Sequence, residues 1–351
     1  MTVIDDIRGI DSLVVPRLTA GERERILGEW ATGVEPYDMS PLVTVIRHGH
    51  MVPGTRVAAR CGGEVVTYGE LYGGLGDVER TLGSSALPTP AGLAALLAEF
   101  VTASHVGIGR FGRDGLLLGA DALAVAVADR RAVAADRRLH RVDPAQRPAD
   151  VRLLALPWGD PQNTVDLLAA WSSGASVVVP AESQRRDPAA LAELIETYAV
   201  SQVVAAAELP VRFVEAGVHR LPTVARWDLV GTSGGSMLPD AVRRLSPEAV
   251  ATVAFHAPAY VGAVSRGPLA PDGWTRPVPG AKVLLLDDHG RLAAPGVVGD
   301  VHIGGRALGA EFSGGRYRER FVSDPYEPRA RLFRTGHRGW WTSEGRLIIE
   351  S

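Results

Sequence analysis

Cysteine is nearly absent: Cys61 is the only one in 351 residues. A disulfide cannot form within one such chain, and a cluster of thiolate metal ligands is excluded. Long hydrophobic runs are missing as well. No uninterrupted apolar stretch reaches the ~20 residues that cross a bilayer as a helix. Asp5, Asp6 and Arg8 break the start of the chain before any leader-like apolar core, so a cytoplasmic protein without a membrane partner is expected. Charge of one sign is also lacking. The 37 Lys and Arg nearly balance 40 Asp and Glu, a net charge of −3, and nothing asks for nucleic acid as a partner. The nine histidines include no i, i+4 pair. His48 and His50 flank Gly49 and read as turn or surface residues, so no metal site is expected.

What the chain does have is 46% hydrophobic residues with 40 Gly and 24 Pro. That is enough for a substantial core interrupted by many loops. Thr19 followed by Glu22 has the spacing of a reciprocal helix cap, and the helix it starts runs to Trp30. Val57–Ala59 and Val65–Thr67 read as strands about the turn at Cys61, Gly62 and Gly63, with Thr67 capping the next helix. A helix is expected over Gly92–Val101 and a strand near Val106–Ile108. Leu116–Arg138 reads as helix. Its Arg130, Arg131, Arg137 and Arg138, beside Asp129 and Asp136, are taken as a solvated face.

From Val151 strands and helices alternate every 20–30 residues. Strands are expected at Val151–Leu156, Ala175–Val179, Val203–Val204, Trp227–Val230 and Ala251–Phe255. Helices are expected at Thr164–Trp171, from Pro188, and over Val211–Ala216 and Pro239–Leu245. Such alternation predicts a largely parallel sheet covered on both faces. Thr232 and Ser233 sit at a Gly234-Gly235 turn and lack the pattern of a nucleophile elbow. After Pro277 the pattern becomes strand and turn: Lys282–Leu286, Asp300–Ile303 and Arg346–Ile349. One of Trp340 and Trp341 is expected to bury there, and Asp324 to Pro328 to form a rigid turn. The divisions are a lead-in over 1–45, an α/β sheet domain over 46–265 and a β-rich lobe over 266–351.

Several ordered phrases carry a resemblance. Phe333–Leu347, FRTGHRGWWTSEGRL, is similar to the YRTGDLGRWLPDGRL phrase of amino-acid adenylation domains of non-ribosomal peptide synthetases, members of the adenylate-forming superfamily. Pro277–Gly305, with its strand, Leu-Asp and Gly-Asp-Val-His-Ile-Gly run, resembles the passage that precedes it in that family. Arg320–Pro325 continues it. Glu64–Leu71, EVVTYGEL, resembles the family's opening motif, and Leu18–Gly33 resembles the linker from an upstream condensation domain. The resemblance implies the large α/β lobe of an adenylate-forming enzyme. About 40 residues separate the opening motif from the place of the phosphate loop, far fewer than the family carries, so a partly deleted first subdomain is expected. The phrase ends at the chain's last residues, so the small C-terminal lobe with its catalytic lysine is expected to be absent.

The departures from the family pattern fall on its chemistry. The phosphate loop corresponds to Ile108–Gly119. It keeps Gly112 and Gly115 but has Asp114 where the lysine stands, and Asp114 repels a triphosphate. Gly-Gly-Glu becomes Gly234, Gly235 and Ser236. The adenine and magnesium phrase becomes Ala254–Tyr260. There Pro258 is retained, His256 replaces the stacking tyrosine and Tyr260 replaces the magnesium carboxylate. A phenol is a poor ligand for Mg²⁺, which prefers hard anionic oxygen. His337 stands for the ribose-binding aspartate. The substrate-anchoring aspartate aligns with Pro161, or with Asp160 one residue earlier.

The expectation is a catalytically inactive pseudo-adenylation domain with no cofactor. Its role would be structural or recruiting, toward a condensation domain, a carrier protein or another synthetase component. An MbtH-like helper protein is a further partner the resemblance implies, and a shortened first lobe points to a homodimer. Two alternatives stay open. One is an adenylating enzyme completed in trans, or a site repurposed around His256, Tyr260 and His337 as acid/base groups. The other is a module binding an amino or acyl acid.

Overall fold

A computed structural model of the chain describes residues 18–33, 42–73, 92, 93, 97, 108–111, 116–135, 150–158, 160–232, 237–312, 315 and 317–350. The capping box forms as the sequence predicts. Thr19 Oγ1 accepts from the Glu22 N–H at 3.2 Å and the Glu22 carboxylate accepts from the Thr19 N–H at 2.9 Å, starting α1 (Ala20–Arg25). A π-helical turn over Ile26–Trp30 follows. After α2 (Leu42–His48), β1 (Val57–Cys61) and β2 (Glu64–Thr67) form a hairpin about Gly62 and Gly63, both at positive φ. Thr67 and Glu70 cap α3 (Tyr68–Gly73) reciprocally, at 2.8 and 3.3 Å.

Leu116 to Gly119 is a strand rather than the start of a helix. It is β4 (Leu116–Gly119), paired with β3 (Ile108–Phe111), and it runs straight into α4 (Ala120–Ala135). The alternation then unfolds in order: β5 (Val151–Leu154), α5 (Pro161–Ser172), β6 (Ser176–Val179), α6 (Glu182–Arg186), α7 (Pro188–Thr197), β7 (Gln202–Ala206), α8 (Leu209–Glu215), β8 (Arg226–Val230), α9 (Leu238–Leu245) and β9 (Val250–Phe255). Asp160 and Asp187 cap α5 and α7 by accepting from the N–H two residues on, each with proline at the next position, where a missing N–H costs nothing.

The strands build a nine-stranded sheet in the order β2-β1-β6-β5-β7-β8-β9, extended by β10 (Ser265–Pro268) and β11 (Arg276–Pro277). The six strands from β1 to β9 pair in parallel, while β2, β10 and β11 are antiparallel. Period-two alternation sends Leu153, Val203, Trp227 and Val253 to one face, against Leu191, Ile195, Phe213 and Leu245 of α7 to α9. Leu154, Val204 and Ala254 belong to the core on the other side, with residues of α4 and α5.

The hairpin of β10 and β11 closes the edge of the large sheet. The second, antiparallel sheet orders β12 (Ala281–Leu286), β13 (Gly299–Gly305), β15 (Arg331–Trp341) and β14 (Phe321–Ser323), with β16 (Leu347–Ile349) also on β15. Asp324 is buried and accepts from Lys282 Nζ at 2.5 Å, which ties the Asp324 turn to β12. The described part of the lead-in is no detached linker. The Val283 N–H donates to Ala31 O at 2.7 Å and the Gly33 N–H to Ala281 O at 3.2 Å. Buried Trp30 packs on buried Trp341 with ring centres 6.1 Å apart. Trp340 is half-buried.

Candidate functional site

Strand β8 has an unusual composition for its position. Both faces of this central strand are covered, yet Arg226 and Asp228 alternate with Trp227 and Leu229. The alternation puts the two charges on the α4 side, where they are buried and must be paired. Arg226 forks onto Asp228 with contacts of 2.8 to 2.9 Å. Thr252 of β9 donates to Asp228 at 2.9 Å, and Gln202 of β7 donates to it too. From the helix above, Arg130 of α4 bridges Asp228 at 3.2 Å and Asp166 of α5 at 2.6 Å. Asp166 also accepts from Gln162 Nε2 at 2.6 Å. Beside them, Arg266 of β10 grips Asp129 of α4 at 2.7 and 3.1 Å.

These three arginines and three aspartates cancel in charge. Burial opposes ionisation of Asp228, but Arg130 and Arg226 outweigh it and hold its carboxyl well below the usual range. Burial likewise opposes the charge on Arg130, and Asp166 and Asp228 more than restore it. The reading of Arg130 and Asp129 as a solvated face is therefore corrected. Helix α4 is alanine- and valine-rich around its circumference and lies on the sheet, so its charges turn inward. Arg131 is half-buried, 3.4 Å from His48 Nδ1. Asp136, Arg137 and Arg138 lie outside the described residues.

Above this network lies a crevice lined by Arg130, Gln162, Asp228, Thr252, His256 and Arg266 among others, with about 240 Å³ of space including its open mouth. The space within it that a water-sized molecule can occupy is about 10 Å³, room for about one water. Of the residues singled out from sequence, His256 lines it. Burial first, then Arg266 and Arg130, push the His256 pKa down to about 3, so the imidazole is neutral at physiological pH. Tyr260 and His337 do not line it. Tyr260 is buried with a hydroxyl that has no hydrogen-bond partner. The exposed His337 packs edge-on against Phe255, centres 5.1 Å apart.

Asp160 accepts from the Gln162 N–H at 2.8 Å as the cap of α5, and burial pushes its carboxyl pKa up. Pro161 is the first residue of that helix and Pro258 is exposed. Gly112, Asp114, Gly115, Gly234, Gly235 and Ser236 lie outside the described residues. His50 stacks edge-on to Tyr72, and among the described residues no three His, Cys, Asp or Glu side chains gather as a metal site. Nor is any helix among them long and apolar enough to cross a membrane.

A segment that contains most of α4, the crevice and the ion pairs, residues 124–311, matches the model of the AMP-binding enzyme family. That is more than half of the chain. The chain belongs to the AMP-binding enzyme family. Among curated relatives, pyochelin synthetase PchE of Pseudomonas aeruginosa (strain UCBPP-PA14) is 31% identical over 294 residues, 77% of this chain and 19% of the relative. The dimodular nonribosomal peptide synthase of Bacillus subtilis (strain 168) is 27% identical over 198 residues, 53% of this chain and 8% of the relative. This chain therefore spans less than a fifth of either relative. The solved structure of the nonribosomal peptide synthetase FmoA3 (S1046A) in its AMPPNP-bound form superposes with a TM-score of 0.76 at 18% identity. The match covers 94% of this chain and 44% of that one. The fold is the α/β lobe of adenylate-forming enzymes.

Proposed function

We propose that this chain is a catalytically inactive pseudo-adenylation domain with a structural or partner-recruiting role in non-ribosomal peptide assembly. The observation that carries this reading is Tyr260. It occupies the position that holds a magnesium-binding carboxylate in the family phrase, and it is a buried phenol whose pKa burial pushes further up. Such a group stays neutral at physiological pH and does not fit a divalent cation. At the ribose position an exposed imidazole, His337, rests on Phe255 in place of a carboxylate. At the position of the stacking tyrosine, His256 is held neutral. A base with a pKa near 3 is also poorly matched to proton abstraction near neutrality, which weighs against a repurposed acid/base site.

The relatives are peptide synthetases by name, which supports placing the chain in that kind of assembly. The lead-in, packed onto the β lobe through Trp30, is a rigid point of attachment for an adjacent condensation domain. A carrier protein, an MbtH-like helper or a second copy of the chain are further partners of the same role. The test is ATP–pyrophosphate exchange with purified chain across the proteinogenic amino acids and simple aryl acids. Exchange at background for every acid is the expected result. Acid-dependent exchange with any of them overturns the proposal.

A further inference from the structure

Alternation gives the end of the small sheet two different faces. Thr275, Trp341 and Leu347 are buried on one of them. On the other, Trp340 of β15 stands directly opposite Ile348 of β16. The antiparallel bridge between Thr275 and Leu347 sets Trp274 opposite Ile348 in turn. Residues directly opposite share a face, so Trp340, Ile348 and Trp274 form one apolar row across three strands. All three are half-buried, and Arg346 lies over the Trp274 ring at 4.8 Å. Tryptophan with arginine at its side is the composition of an interface centre. The charges are sorted to the two sides of the row. The register places Arg338, Glu350 and Asp272 along one flank, and Thr342, Arg346 and Arg276 along the other. Arg338, Glu350, Asp272 and Arg276 are exposed. Arg346 reaches Glu344 at 3.0 Å and Asp272 at 3.8 Å, contacts open to water and worth little. Arg276 donates to the Glu344 carbonyl at 3.3 Å.

We infer that two copies of the chain associate through this face, sheet against sheet, about a two-fold axis parallel to the row. Such an axis sets Trp340, Ile348 and Trp274 each against its own counterpart and lays each flank on the opposite flank of the second copy. Glu350 then meets the second copy's Arg346, Asp272 meets its Arg276, and Arg338 meets its Thr342. Each pairing occurs twice, and no like charges are opposed. An axis across the row would instead set Glu350 on Glu350 and Arg346 on Arg346. A uniformly acidic or basic protein would suit one flank only, whereas a second copy suits both. The row supplies the affinity and the charges fix the orientation. This face belongs to the β lobe and not to the shortened first lobe. The inference goes beyond the inactive-domain reading and does not depend on whether ATP binds.

The experiment is analytical ultracentrifugation of the full chain, without nucleotide, from nanomolar to high micromolar concentration. A row of three apolar side chains is smaller than a standard interface, so a reversible monomer–dimer equilibrium with a micromolar Kd is expected. Asp272→Arg and Arg276→Asp are each expected to weaken it at least tenfold, because each opposes like charges at both ends of the row. An equimolar mixture of the two variants is expected to dimerise with the parent affinity, since the charges at positions 272 and 276 are then opposite in sign across the interface. Trp340→Ser is expected to abolish association. Should it fail to fold, the two exposed charge variants decide the matter. A chain that stays monomeric at every concentration overturns the inference and leaves the face to another occupant. A dimer that neither charge variant weakens, or a mixture that does not recover, overturns it as well. Nucleotide is absent throughout, so this result and the exchange assay fail independently.

Discussion

Replacing Arg130 with alanine is expected to cost about 3–5 kcal/mol of stability, the range for removing one partner of a buried ion pair. Asp166 would keep only the Gln162 amide, and Asp228 would lose its link to α4. The loss is therefore larger than for any exposed arginine, such as Arg243, whose pair with Asp240 is open to water. The buried charges themselves are not what the fold needs most. The double change Arg130→Met with Asp166→Leu is expected to recover most of the loss, because it removes the uncompensated carboxylate as well as the cation.

The pH dependence has a definite sign. The folded Asp228 carboxyl lies well below its ordinary value. Its contribution to stability is therefore complete above the unfolded carboxylate value of ~3.9. It fades as pH falls from there through the lower folded value. In the Arg130→Ala protein the folded value moves up, so less of the acid-side slope remains. Urea midpoints from pH 3 to 7 measure both effects. A loss below about 1 kcal/mol, or an unchanged acid slope, contradicts the assignment.

The second large effect is expected at the other end of the chain. Trp30→Ala removes a buried indole that packs on Trp341 and lies against Gly345, where a Cβ would come within 2.4 Å of Trp30 Nε1. Gly345 is also at φ 69°, so the turn has two reasons to be glycine. The expected cost is about 3–5 kcal/mol, as for other buried Trp→Ala changes. The loss includes detachment of residues 18–33 from the edge of β12, where Ala31 and Gly33 hydrogen-bond to Val283 and Ala281. Limited proteolysis within this segment is expected to speed up in Trp30→Ala relative to the parent chain, at a denaturant concentration where both remain folded. Equal cleavage rates contradict a docked lead-in and remove the support it lends to a fixed neighbouring domain.

Local chemistry makes much of this architecture readable. The reciprocal caps at Thr19 and Thr67, the prolines after Asp160 and Asp187, and the glycine turn after Cys61 each depend on residues within four positions of one another. The α/β alternation after Val151 is legible for the same reason. Strand β15 is harder to see. Its pairing with β13 slips between Asp300 and His302, and Gly336 at φ 83° breaks the alternation a strand should show, so the passage reads as a motif instead of a strand. The site is half legible. His256 lies where the crevice is, and Asp160 caps the helix that carries Gln162. Arg130 reads as a surface residue because its partners Asp166 and Asp228 are 36 and 98 residues away, and no local pattern reports such a distance. A signal does exist in Arg226-Trp227-Asp228: polar residues at spacing two in a strand buried on both faces can be accommodated only in pairs.

The most direct test of the central claim is calorimetric titration of the chain with MgATP, repeated with non-hydrolysable aminoacyl-adenylate analogues. A neutral buried Tyr260, a neutral His256 and a His337 resting on Phe255 predict no measurable heat of binding at millimolar nucleotide and none with any analogue. Saturable, stoichiometric binding of either ligand would contradict the account and return the chain to the adenylating enzymes.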